Sequence, residues 1–380
     1  MRHSGEKKRH RALKGYGIWA LSVVAVNLAA AVIPGLSDKY IQYIFPIWVN
    51  TYGRFMDIFP FSVGEWMLAA GVALVCVAAV LGPVLGLAHG AGWKRCQVWV
   101  RRYYIFFAWT LLGVCTVMTL NCSLLYHAGT FSEQYFPDAR ESYTLEELIR
   151  LRNHVVERCN ALALEMERDE EGNVLYPGDA RAMQEEAIRA MRSLGRSYGQ
   201  LDGYYPHPKP FAASDFFSQQ HMQGYYFPFS MEANYNDVMY IMNKPETFCH
   251  ELAHLRGYIY EDEANFISFL ACVQSGNPMF EYSGYLSVLN YLDNDFYRAV
   301  SEDRAAYLAQ PRISLPVQKD NIFLTKQEWD RINGKALIDT ETVDQVSDVL
   351  RDTSLKAFGV SDGILSYSRV VELLLAWYYE

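Results

Sequence analysis

Residues 250–272 read HELAHLRGYIYEDEANFISFLAC. His250 and His254 are four positions apart, which on a helix puts both imidazoles on one face, one turn from each other, where they can share a metal ion. Glu251 lies one residue along, within reach of water on that ion. A glutamate so placed takes a proton from the water as it attacks a carbonyl carbon and passes it to the leaving amine. A catalytic zinc site keeps three protein ligands and an open position, so a further acidic residue is expected soon after the histidines. Glu261 is the first candidate and Glu263 the competing one. On a continuous helix Glu261 would lie roughly 10 Å beyond His254, at about 1.5 Å per residue. The helix must therefore stop and fold back. Gly257, able to take positive φ, is where it can end, and the acidic run then begins a second helix packed on the first. An isolated HExxH string also occurs on ordinary amphipathic helices with a surface His and a salt-bridging Glu. Gly257 and the acidic run beginning at Glu261 carry the metal reading.

Working outward, residues 203–243 are rich in Tyr, Phe, Pro and Asn and permit short strands at 225–229 and 238–242. Strands there would border the cleft, and an edge strand could hold an extended peptide by main-chain hydrogen bonds. Residues 144–171 carry apolar side chains at helical spacing behind Ser142 and Thr144, with Glu146 and Glu147 as a capping signal. A second amphipathic helix is expected over 180–201, and others over 296–309, 340–358 and 366–379. The fold expected for residues 130–380 is mainly α, an α-rich α+β zincin-like domain with a small β element before the HExxH helix.

Residues 1–129 have another character. The stretches 16–35, 66–88 and 103–126 each offer about twenty apolar residues, the length a membrane-spanning helix needs. Arg2, Lys7, Lys8, Arg9, Arg11 and Lys14 precede the first stretch, and Lys94, Arg95, Arg101 and Arg102 lie between the second and third. The intervening loop holds only Lys39 and Arg54. This bias puts the N-terminus and the second loop in the cytoplasm and the domain after the third span outside it. Asn27 and Glu65 are polar groups in or beside the spans. Tyr103, Tyr104 and Tyr126 fit the aromatic belts of a bilayer interface.

The net charge of −9, with the basic residues crowded into the first hundred positions, leaves an acidic soluble part and disfavours a nucleic-acid partner. The seven cysteines show no CxxC spacing, so neither a disulfide framework nor a cysteine zinc ribbon is indicated. Cys249 precedes the motif directly, but adjacent helical residues point in different directions, and core packing is its expected role.

The pair HExxH and a later ExxA[D/N], present as His250–His254 and Glu261-xx-Ala264-Asn265, resembles the pattern of gluzincin peptidases. The resemblance implies His250, His254 and Glu261 as ligands to one Zn2+, Glu251 as the catalytic acid/base, and Asn265 as a supporting group where many relatives have Asp. The gap between His254 and Glu261 is shorter than in many gluzincins, and Gly257 is similar to the metzincin turn, whose third ligand is a His that this chain lacks. Such sites also use a donor to the developing oxyanion. Tyr367 and Arg369, in the segment SYSR, are the candidates. The whole chain resembles a family of bacterial membrane proteins catalogued as domain-of-unknown-function family 3810. That resemblance rests on the three spans, on Gly224-Tyr-Tyr-Phe-Pro-Phe-Ser-Met-Glu-Ala-Asn-Tyr-Asn236, on residues 250–272, and on Gly363-Ile-Leu-Ser-Tyr-Ser-Arg-Val-Val371.

The expectation is therefore a multi-pass zinc metallopeptidase of the bacterial cytoplasmic membrane, with the bilayer and a peptide or protein substrate as its partners. The alternative from another class is a membrane-anchored zinc-binding scaffold or receptor without activity. A closed four-ligand structural site would have no need of Glu251.

Overall fold

The computed structural model describes residues 2–137, 140, 142–300, 303–336, 338–357 and 368–379. The chain divides into two compact units, one of residues 1–45, 63–128 and 228–230, the other of residues 46–62, 129–227 and 231–380.

The first unit holds α1 (Arg2–Val32), α2 (Val63–Gly90) and α3 (Lys94–Met118), the last continuing through irregular helical turns to His127. All three are long and apolar enough to cross a membrane. Most of their apolar side chains are not covered by protein: Leu68, Val72, Val75 and Val80 of α2 are all exposed. In water such a surface is unfavourable, whereas hydrocarbon solvates it, so the unit is consistent with a membrane protein. The polar residues of the spans join helices to one another. Asn27 Nδ2 donates to Thr119 Oγ1 at 2.7 Å, and Ser123 Oγ donates to Asn27 Oδ1 at 2.6 Å. Small polar side chains satisfied across helices in this way hold spans together where no hydrophobic force can. Tyr103 and Tyr104 join α3 to α2. Their hydroxyls donate to the carbonyls of Leu74 and Ala78, deep within α2, the second at 2.6 Å.

In the second unit α4 (Phe131–Tyr135) is followed by α5 (Leu145–Ala163) and α6 (Ala180–Leu194). Thr144 caps α5 in a reciprocal arrangement with Glu147. The helix expected to reach residue 171 stops at Ala163, because Arg168 turns back and donates through Nη2 to the Ala163 carbonyl at 3.0 Å. Its guanidinium also grips the buried Asp320 at 2.9 and 2.7 Å. Asp320 accepts from the hydroxyls of Tyr240 and Tyr282 as well, at 3.1 and 2.8 Å.

The sheet is small, with β1 (Lys209–Pro210), β2 (Gly224–Phe227) and β3 (Glu232–Tyr235) in the order β1-β3-β2. β1 runs parallel to β3, and β2 antiparallel to it with Tyr225 opposite Asn234. The strand expected at 238–242 is absent, and its place as partner to β2 is taken by 232–235. The turn after Phe227 closes quickly, with Met231 at φ +53°, so the chain is back in register before the expected stretch is reached. Residues 46–62 pack on the same unit. The Lys209 ammonium donates to the Met56 carbonyl at 2.6 Å and to Glu232 at 2.5 Å. Asp57 accepts from the Tyr204 hydroxyl at 2.7 Å and from the His207 amide at 2.9 Å.

Against the sheet lies α7 (Lys244–His254), with Phe248 4.5 Å from Tyr235 between ring centres. Next come α8 (Glu261–Val273), α9 (Pro278–Ala299) and, at the end of the chain, α10 (Ser368–Tyr379). Leu252, Ala253, Phe266, Phe269 and Leu289 are fully buried and form the core between these helices.

Candidate metal centre

Pro245 near its N-terminus pre-sets α7 for helix, and the helix runs to His254. The chain then turns through Gly257, whose φ of +92° a residue with a Cβ would resist, and starts α8 at Glu261. The reversal brings Glu261 back onto the histidines. Its carboxylate lies 3.1 Å from His250 Nε2 and 3.8 Å from His254 Nε2, and the two Nε2 atoms are 3.2 Å apart. One atom of each residue falls within a 4.8 Å group. Asn265 stands one turn beyond Glu261 on the same helix.

The hydrogen bond from His254 Nδ1 to the Tyr258 carbonyl, 2.7 Å long, fixes the tautomer, since a carbonyl can only accept. The lone pair of His254 is then on Nε2, facing the cluster, as in metal-ligating histidines whose other nitrogen donates to a backbone carbonyl. Burial lowers the His250 pKa, but the hydrogen bond and charge of Glu261 outweigh it and carry the imidazole up to about 10. Burial takes His254 down to about 4. Two imidazoles that meet at their Nε2 atoms beside one carboxylate cannot both be cationic. A single divalent cation at the point where the three converge satisfies all of them, so this donor set fits zinc.

Glu251 is 4 % exposed, and its Oε2 has no hydrogen-bond partner among the described residues. Burial pushes its carboxyl up to about 8. An orphaned buried carboxylate oxygen is uncommon and points to a missing polar group, such as water, on that side. Its other flank is closed by the backbone of β2. A Cβ on Gly224 would come within 2.4 Å of Glu251 Oε1, so only glycine lets the strand approach. β2 is an edge of the sheet, and its Tyr225 is exposed.

The remaining candidates lie elsewhere. Glu263 is turned from the histidines and accepts from Ser132 Oγ at 2.8 Å and from the Ser132 amide at 3.2 Å. Arg369 pairs with Asp262 at 3.1 Å and with Glu263 at 3.4 Å, on the side of α8 away from the histidines. Tyr367 lies outside the described residues. Cys249 is buried with its Sγ 3.9 Å from that of Cys272, a core contact between α7 and α8. Sequence reasoning did not single out Gly224 or the Tyr258 carbonyl. The first acts through a contact distant in sequence, and the second is backbone, which has no residue signature.

A family model described as "Protein of unknown function (DUF3810)" matches residues 40–375. No curated protein and no solved structure matches the chain.

Proposed function

The chain belongs to that family of unknown function, and from its own residues we propose that it is a membrane-anchored zinc-dependent metallopeptidase. The observation that carries this reading is the convergence of His250, His254 and Glu261 beside a buried Glu251 carboxylate with a free oxygen. His250 and His254 would hold the ion through Nε2 and Glu261 through its carboxylate. A bound zinc supplies Lewis acidity, which acidifies water and polarises a carbonyl oxygen. Glu251 then accepts the proton of the attacking water and delivers it to the nitrogen of the departing amine. The low exposure of Glu251 keeps bulk water from competing for that proton, and Gly224 leaves room for its side chain beside β2. β2 is an edge strand, which gives an extended peptide a place to pair by its backbone.

Three apolar helices anchor the protein to a bilayer, and the basic residues of the N-terminus and of the first turns of α3 (Lys94, Arg95, Arg101 and Arg102) favour a second unit outside the cytoplasm. The substrate is a peptide or protein at the outer face of the cytoplasmic membrane of a bacterium. Zinc analysis of the full-length protein in detergent, beside peptide hydrolysis, tests this. Wild type is expected to hold one zinc per chain, His254→Ala to lose it, and Glu251→Gln to keep it while losing hydrolysis. Wild type without stoichiometric zinc sinks the reading. Zinc retained with no hydrolysis in wild type leaves the scaffold alternative.

A further inference from the structure

The third ligand stands at the head of a helix whose first turn has an unusual support. α8 opens with three acids in a row, Glu261, Asp262 and Glu263, and its N-cap residue, Tyr260, makes no side-chain cap bond. Glu261 points to the histidines and is half exposed, at 49 % of its side chain. Asp262 and Glu263 point the other way and are 3 % and 1 % exposed. Two adjacent buried carboxylates are strongly unfavourable unless a cation or several donors meet them. Both kinds of partner are present. The Arg369 guanidinium from α10 lies 3.1 Å from Asp262 Oδ2, an ion pair without a hydrogen bond, and 3.4 Å from Glu263 Oε1, and the N-terminal turn of α4 donates to Glu263 through the Ser132 amide and hydroxyl.

We propose that Arg369 is a positioning residue for the metal centre: by clamping Asp262 and Glu263 it fixes the first turn of α8 and so presents Glu261 to His250 and His254. The inference rests on the zinc reading above and adds to it that the last helix of the chain completes the site without touching it. Glu261 meets His250 at 3.1 Å, and half of its side chain faces solvent, so how it reaches the histidines depends on the backbone that carries it. Its direction is inherited from the backbone of the next two residues, and those are the residues Arg369 grips. Removing the guanidinium takes the facing cation from both buried carboxyls and leaves Glu263 with Ser132 as its side-chain donor. The first turn then opens to rehydrate them, and Glu261 leaves with it.

The test is the zinc dissociation constant of the full-length protein in detergent, measured by competition with a chromogenic chelator, with thermal melting of the metal-free protein alongside. Arg369→Ala is expected to weaken zinc binding by on the order of tenfold or more, as loss of groups supporting a ligand generally does. A purely structural Arg369 would lower the melting temperature and leave the zinc constant where it was. Should Arg369→Ala fail to fold, Asp262→Asn carries the test: it keeps the packing and the arginine, removes half of what the clamp holds, and is expected to weaken zinc in the same direction. A wild-type protein that takes up no zinc removes the metal reading and this inference with it. A wild-type protein that takes it up while the folded variants match its constant removes this inference alone.

Discussion

His254 Nδ1 donates to the carbonyl oxygen of Tyr258 across 2.7 Å, and this bond ties the second histidine of the cluster to the turn that carries the chain toward Glu261. The same turn that reverses the chain therefore also orients an imidazole. The orientation of the His254 ring and the approach of Glu261 are set by one piece of backbone, with Gly257 at its bend.

Gly257→Ala tests that coupling. At φ +92° an alanine meets the strain of the left-handed region, roughly 1–2 kcal/mol. The turn relieves it by shifting, which moves the Tyr258 carbonyl from His254 and Glu261 from both histidines. The expected result is a lower melting temperature together with zinc binding weakened about tenfold, as for other losses of ligand support. A variant that melts lower but binds zinc as wild type does would show the turn and the ligands to be independent.

Gly224→Ala separates metal binding from turnover. The added methyl would lie 2.4 Å from Glu251 Oε1 and 2.8 Å from Thr247 Cγ2, so the carboxylate must move. Neither histidine is touched. Zinc content is expected to remain stoichiometric, while kcat for peptide hydrolysis falls by on the order of a hundredfold, the usual consequence of misplacing a reacting group by about 1 Å. Metal analysis and turnover on the same preparation decide it, and unchanged turnover would remove Glu251 from the proton transfer.

How far these features could be read from sequence depends on how local their causes are. His250, Glu251, His254, Gly257 and Glu261 lie within a dozen residues, and the helical period with one turn brings them together, so their placement is visible in the string itself. The spans are equally legible, because length and apolarity alone make them. The end of α5 at Ala163 was hidden, since Arg168 is a good helix former and leaves the helix only because Asp320, far along the chain, receives it. The strand 232–235 was missed for a similar reason: Glu232 and Asn234 are poor strand residues by propensity, and it is the buried Lys209–Glu232 pair and the pairing with β2 that hold them there. The partners of Arg369, Asp262 and Glu263, could not be read from the sequence, because only the packing of α10 on α8 brings them to it.

Asp57 gives the second unit a pH-dependent tie to residues 46–62. Burial acts to raise its carboxyl, but hydrogen bonds from the His207 ring and amide and from the Tyr204 hydroxyl outweigh it, leaving the carboxyl at about 2 against an ordinary 3.8. A carboxylate held below its unfolded value stabilises the fold above the ordinary range, and that contribution is lost as pH falls toward the folded value. At neutral pH the difference amounts to about 2 kcal/mol at most. Asp57→Asn is therefore expected to unfold at lower denaturant than wild type at pH 7, with the gap between them closing as the pH approaches about 2. A gap that stays constant with pH would assign the effect to packing, not to charge.

Asp320 supplies the contrast that separates a stability residue from a site residue. Like Glu263 it is a buried acid held by an arginine, but its partners are Arg168, Tyr240 and Tyr282, and none of these is joined to a ligand of the metal cluster. Asp320→Ala leaves the Arg168 guanidinium without its buried counter-charge and two tyrosine hydroxyls without their acceptor. Breaking such a pair from one side costs about 3–5 kcal/mol. Arg168 keeps some access to water, with 22 % of its side chain exposed, which draws the loss toward the lower end of that range. The zinc constant and the turnover of the fraction that remains folded are expected to equal those of wild type, because among the described residues the side chains of this cluster bond to one another and not to His250, His254 or Glu261. Denaturation, zinc competition and peptide hydrolysis on one preparation check all three, and a weakened zinc constant in folded Asp320→Ala would mean that loss of core stability alone is enough to disturb the metal centre.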